Sequence, residues 1–349
     1  MKKTLIFILL LFICGCATST KKISFIKVTN EEKIMKQEVE RITTDKEKVM
    51  INQKEYNKYI VKNGDSLWRI AKEQAGNPNF WRQMAEQNNI KEPYMIKPGQ
   101  TILLSDTYTF KTNNKTRKIF KYRTVKNSSF GVGEKLVFAV KYFGITAGFG
   151  ILEVKNFLDI NNRKAYLIEA TAKTSPFFEN FYKVRDVITS YMDVFGLFSW
   201  KYSKNLEEGS YRNNSYMEFD HEQGFAKKKE GDKCQIPPFV QDVLSELYYY
   251  RAVFTGKENE LFIDVASDEC KVYQIVVKKV GEEKVTVDAG EFDCYVVRPF
   301  LKYEGIFRQK GDVDIWLTKD KYKMPVLVKS KIVIGTIDAV LQEATVVEP

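Results

Sequence analysis

The chain has a single histidine, His221, in the turn-like stretch DHEQG, and one imidazole cannot supply the ligands a catalytic zinc commonly takes. As the base of a Ser-His or Cys-His pair it would need a nucleophile on a strand-turn-helix elbow or in a glycine frame, and no serine or cysteine has such surroundings. Cys234, Cys270 and Cys294 show no CxxC spacing; a disulfide between two of them is expected in an oxidising compartment, with the pairing left open. No catalytic residue, metal ligand or cofactor is expected, although the 45 acidic residues leave a two-carboxylate glycan hydrolase open. The best-placed acid is in YKVRDVIT, where Asp186 shares alternate positions with Tyr182, Val184, Ile188 and Met192. A carboxylate on an apolar face needs a partner. Arg251 and Arg298 are the candidates for a paired site lining an inner cavity, and a structural ion pair is the plainer alternative.

Cysteine chemistry of another kind lies at the N-terminus. Lys2 and Lys3 precede an apolar run from Leu5 to Ile13, too short for a transmembrane helix and suited to an export signal over residues 1–15. The sequence Ile13-Cys14-Gly15-Cys16 resembles the lipobox of bacterial lipoproteins. The resemblance implies that the Cys16 thiol is acylated and anchors the chain to a membrane. Ala17, where Asp is absent, resembles outer-membrane sorting and implies the periplasmic face of that membrane. Residues 16–58, rich in Lys and Glu and free of Pro and Gly, read as a tether with at most a short helical stretch.

Residues 59–104 are punctuated as strand, two helices, strand. Gly64 permits a turn, Asp65 or Ser66 can cap the first helix, and Leu67, Ile70 and Ala71 form its apolar face. Pro78 and Asn79 open a second helix with Trp81, Met84 and Ala85 inward, and Pro98-Gly99 fits a type II turn. GDSLWRIA, the Trp81 helix, Asn88, the Pro93 loop and PGQ resemble a LysM domain. That resemblance implies binding of N-acetylglucosamine polymers such as peptidoglycan, between loops that here contain Gly64, Asp65, Ser66 and Leu67, and Ile90, Tyr94 and Ile96. Tyr94 is the leading candidate for sugar contact, since an aromatic on a polar loop has no evident core to fill.

Residues 105–128 lose periodicity and read as a linker. From 129 to 349, short alternating runs such as KLVFAVKYF, AYLIEATAK and VYQIVVKKV alternate with Gly, Asn, Asp and Pro. One helix interrupts them, opened by Pro237 and Pro238, with Val240, Val243, Leu244, Leu247, Tyr248 and Arg251 at helical spacing. The fold class expected is multi-domain α+β/all-β, a small βααβ module followed by a mainly antiparallel, curved or barrel-like sheet with one helix. Residues 130–343, through stretches such as TSPFFENFYKVRDVITSYMD and IPPFVQDVLSELYYYR, resemble the envelope family called domain of unknown function 3108, which implies an exported β fold without an assigned activity.

The formal charge of +10 is spread along the chain, which argues against nucleic acid and fits anionic lipid or wall polymer. The function expected is a non-enzymatic envelope lipoprotein that binds peptidoglycan and whose β domain takes an envelope protein or a hydrophobic or glycolipid ligand. The alternative is a peptidoglycan hydrolase or hydrolase activator.

Overall fold

The computed structural model describes residues 48–349 apart from 52–53, 76, 92–93, 106–119, 121, 304–305, 309–311 and 332–334. The export signal, Cys16, Pro93 and much of the tether and linker lie outside the described residues. The chain forms two compact units, the second beginning at Phe120.

In the first unit, β1 (Lys48–Ile51), β2 (Lys54–Ile60) and β3 (Thr101–Ser105) form an antiparallel sheet in that order. β1 and the start of β2 fall where the sequence suggested a spacer; a charged stretch is also what an edge strand carries to discourage further pairing. Helices α1 (Leu67–Gln74) and α2 (Trp81–Gln87) pack on the sheet through Leu67, Ile70, Ala71, Trp81, Met84 and Ala85. Ser66 caps α1, its Oγ accepting from Arg69 N at 3.3 Å. Asn88 joins α2 to β3, accepting from Leu103 N at 2.7 Å and donating to Leu103 O at 2.9 Å, so its amide stands in for a strand partner. Gly99 has φ +83° beside Pro98, as a type II turn requires.

The second unit contains β4 (Lys135–Tyr142), β5 (Ile145–Ile160), β6 (Arg163–Thr174), α3 (Pro176–Glu179), β7 (Arg185–Asp193), β8 (Ser199–Glu208), β9 (Tyr211–Asp220), β10 (Phe225–Lys228) and β11 (Lys233–Gln235). After α4 (Ser245–Val253) come β12 (Glu260–Ala266), β13 (Val272–Val287), β14 (Gly290–Tyr303), β15 (Ile306–Arg308), β16 (Asp312–Thr318), β17 (Pro325–Lys331) and β18 (Thr336–Thr345). They make one antiparallel sheet of 15 strands in the order β11-β10-β9-β8-β7-β6-β5-β4-β18-β17-β16-β14-β13-β12, with β15 on β14. The chain thus starts in the middle of the sheet, works outward to β11, crosses over, and returns through the other half from β12 to β18. Register shifts at Val154/Asn156, Lys279/Gly281 and Leu341/Glu343 add local twist that curls the long strands.

The sheet curves without closing. Its open edges, β11 and β12, flank the crossover in sequence, and contacts among the described residues brace β12 and the turn after it. Gln241 forms a parallel bridge to Val265, Lys204 pairs with Asp268 at 2.5 Å, and a disulfide joins Cys234 to Cys270. That leaves Cys294 as a buried free thiol.

Helix α4 begins later than the Pro237-Pro238 signal suggested. Phe239 has φ +60°, Gln241 is held by the edge of β12, and the Asp242 carboxylate accepts from Leu244 N at 2.7 Å and Ser245 N at 2.8 Å. That side-chain cap satisfies the first free amides and fixes the start of the helix at Ser245. Tyr248 and Arg251 then point into the core, so α4 fills the curve of the sheet.

Candidate functional site

In the first unit the loop before α1 is built on Asp65. Its Oδ2 accepts from Tyr59 Oη at 2.8 Å and from Lys62 N at 2.7 Å, which holds the loop and leaves capping to Ser66. Gly64 has φ +78° and is buried, so only a residue without Cβ passes there easily. Leu67 is 3% exposed and belongs to the helical core instead of a groove floor. On the facing loop, Ile90, Tyr94 and Ile96 are half-buried against the same core. Tyr94 does have a core to fill: its ring meets Trp81 edge-on at a centroid distance of 5.0 Å. It also has φ +61°, a left-handed conformation unusual for an aromatic residue, and its neighbour Met95 is 71% exposed. Strain kept beside an exposed apolar side chain is a feature of binding loops. The two loops thus present the Ser66 hydroxyl on one side and Tyr94, Met95 and Ile96 on the other, with Asp65 turned back to hold its own loop.

In the second unit the three candidate cavity residues are not brought together. Arg251 forms a fully buried bidentate pair with Glu134, at 2.7 Å for each oxygen. Arg298 pairs with Asp314 on neighbouring β16 at 2.6 and 2.8 Å. Asp186 meets neither arginine. Ile188 opposes Lys204 across the β7–β8 ladder, and Val184 opposes Glu208, so Asp186 sits diagonally between Lys204 and Glu208 on one face. Its Oδ1 accepts from Glu207 N at 2.9 Å. Oδ2 of Asp186 and Oε1 of Glu208 receive no donor from any other residue, and the two carboxyls interact with each other. A single proton held between them would satisfy both. Burial pushes Asp186 up to about 6, and burial together with the Asp186 charge pushes Glu208 up to about 7.

These shifts have a sign that can be checked. A carboxyl whose pKa rises on folding stabilises the fold below its unfolded pKa and loses that contribution as the pH climbs through its folded pKa. The pair's contribution is therefore full below about pH 4 and lost between about pH 4 and 7. In an Asp186→Asn/Glu208→Gln variant the stability relative to wild type should improve by about 2 kcal/mol between pH 5 and pH 8, well below the isolated-group sum because the two carboxyls titrate as a pair and the Lys204 charge offsets part of the cost. Urea unfolding across that range measures it, and parallel profiles for the two proteins would sink the shared-proton reading.

His221 is closed to proton transfer. Its Nδ1 accepts from Phe239 N at 3.1 Å and its Nε2 lies 2.6 Å from Ser199 O, so Nε2 carries the proton and neither nitrogen is free to serve a hydroxyl. Burial lowers its pKa to about 4, and the ring packs among Phe198, Trp200 and Phe239. The nearby Ser199 Oγ donates to Asp242, as does Ser190 Oγ. Serine, histidine and aspartate are thus neighbours with connections that do not form a triad.

Residues 137–342 match the family described as protein of unknown function, DUF3108. The chain belongs to that family. Residues 59–105 match the LysM domain, so the first unit is a LysM module. No curated protein matches the chain. Among solved structures, a β-barrel-like protein of family DUF1849 from Brucella abortus has a TM-score of 0.45 at 8% identity, covering 63% of this chain and 99% of its own. A candidate lipoprotein from Parabacteroides distasonis gives 0.31 at 11% identity, covering 64% of this chain and 100% of its own. A Bacteroides fragilis protein with a YmcC-like fold gives 0.26 at 13% identity, covering 63% and 99%.

Two residues of the DUF3108 domain escaped the sequence reading. Glu208 follows the same parity on β8 as Trp200, Tyr202, Lys204 and Leu206, all buried, and that alternation was available to place it inward. Glu134 stands before the first strand of the sheet, in a turn whose sequence carries no periodicity to mark it as buried.

Proposed function

We propose that this protein is a cell-envelope lipoprotein that grips N-acetylglucosamine polymer through the LysM module and presents the DUF3108 domain as a non-enzymatic binding unit. One observation supports this above the rest: the LysM module keeps a complete core while holding Tyr94 strained on a loop beside exposed Met95. A sugar ring docks on such an apolar edge while loop amides and the Ser66 hydroxyl meet its acetamido and hydroxyl groups. Gly64, Asp65 and Leu67 act behind that surface, shaping the loop. Acylation at Cys16 would hold the chain at a membrane, most naturally the periplasmic face of the outer membrane, and the tether would let the module reach the wall. The hydrolase alternative has no support from the Asp186 and Glu208 pair, which is 1% and 5% exposed and closed to a polymer.

The test is co-sedimentation with purified sacculi, with the supernatant assayed for released muropeptides. Tyr94→Ala should lower sacculus affinity by about tenfold and also lower the unfolding temperature of the module, since the ring packs on Trp81. Undiminished binding by that variant would remove the groove from the proposal, and release of fragments by the wild type would establish the hydrolase.

A further inference from the structure

The end of the sheet where β6 gives way to β7 carries an apolar collar that the core does not explain. Phe143 is 64% exposed, Ile145 62%, Phe177 67% and Phe181 74%. They come from separate connections at the same end of the sheet. Phe143 and Ile145 belong to the β4–β5 turn, and the Phe143 ring lies over Gly335 in the β17–β18 turn, where an added Cβ would fall 2.7 Å from it. Ser175 N donates to Ala147 O at 2.9 Å, which seats α3 against the start of β5. From there the Phe177 ring meets Phe178 at 5.2 Å and Phe181 at 5.6 Å. A soluble domain with a core this large has no structural use for three solvent-facing phenylalanines on adjoining turns.

Charge selects the occupant. The side chains of Lys173, Lys183, Arg185 and Arg212 flank the collar and are exposed; of the acids beside them, Glu179 pairs with Arg185 at 3.4 Å and Glu207 with Arg212 at 3.9 Å. Lys173 and Lys183 are left over from these pairs, and the adjoining Asp186 and Glu208 carboxyls are buried away from the surface, so the exposed charge here is basic. Aromatic and aliphatic tips on protruding turns, ringed by lysine and arginine, match a fluid interface whose surface is anionic and whose interior is apolar.

We propose that this collar is a membrane-contact surface, with Phe143, Ile145, Phe177 and Phe181 entering the headgroup region of an anionic bilayer and the flanking basic residues lying on its phosphates. The surface belongs to the second unit alone and does not depend on acylation of Cys16 or on glycan binding.

The experiment is vesicle flotation with the chain from Ala17 onward, which keeps every described residue and lacks the acylation site. Vesicles of phosphatidylcholine are compared with vesicles containing about one-third phosphatidylglycerol. The wild type should float with the anionic vesicles, less so at high salt. Phe177→Ser/Phe181→Ser should reduce the bound fraction about tenfold. Lys173→Glu/Lys183→Glu should abolish the preference for anionic lipid, and Val280→Ser, which alters an exposed apolar residue midway along β13, should change nothing. Equal flotation of wild type and the double phenylalanine variant would overturn the proposal. So would failure of the wild type to float, or self-association in sedimentation velocity that the phenylalanine variant loses, which would assign the collar to a second copy.

Discussion

Replacing Glu134 with Ala is expected to cost the β domain about 3–5 kcal/mol, because it leaves the Arg251 guanidinium charged and unpaired in a site with no water access. Both side chains are 0% exposed. Arg251 also donates through Nη2 to Ser129 O at 3.2 Å and through Nε to Tyr322 O at 3.2 Å. Ser129 Oγ in turn lies 2.9 Å from both Arg251 O and Lys321 O, and its one proton is shared between the two carbonyls. One arginine thus ties α4 to the segment entering β4 and to the β16–β17 turn, which places the loss on the core of the domain. The matching double variant, Glu134→Leu with Arg251→Met, removes both charges and should recover more than half of the loss, since desolvating an ion pair offsets much of its attraction. Urea unfolding of the two variants decides the matter. A cost under about 1 kcal/mol for Glu134→Ala would mean that water reaches the site, and the pair would then be an ordinary surface bridge.

That network shows what a sequence can reveal and what it withholds. The inward direction of Arg251 followed from helical spacing with Tyr248 and Val243, and the inward direction of Asp186 from strand alternation with Ile188 and Met192; both are buried. Local periodicity fixes the face a residue occupies. It does not fix who stands opposite, which depends on ladder register and on contacts between segments distant in sequence. Glu134 is 117 residues from Arg251, and Asp186 meets Glu208 because the β7–β8 register puts Lys204 across from Ile188. Hence the arginines assigned to Asp186 turned out to serve Glu134 and Asp314. The LysM module was more legible because its turns depend on residues with local requirements, such as Gly64, Ser66 and Pro98-Gly99. Even there the Tyr94–Trp81 contact needed the folded loop.

Loss of the Cys234–Cys270 disulfide, by reduction or by Cys234→Ser/Cys270→Ser, is expected to cost about 3–4 kcal/mol, the entropy of a closed loop spanning a sequence separation of 36. The three cysteines allowed three pairings, and sheet order chose among them: β11 and the turn after β12 lie at the two open edges, whereas Cys294 is on β14 inside the ladder. Exchange with Cys294 is slow because burial pushes its thiol up to about 12, leaving little thiolate to attack. With the disulfide gone, the Gln241 bridge and the Lys204–Asp268 pair remain, and amides of residues 234–236 and 266–272 should be the first to lose protection from hydrogen exchange. Urea unfolding with and without reductant measures the global loss, and a difference under about 1 kcal/mol would show that the edges hold without the bond. A seam latched in this way gives the domain its full stability only where thiols are oxidised.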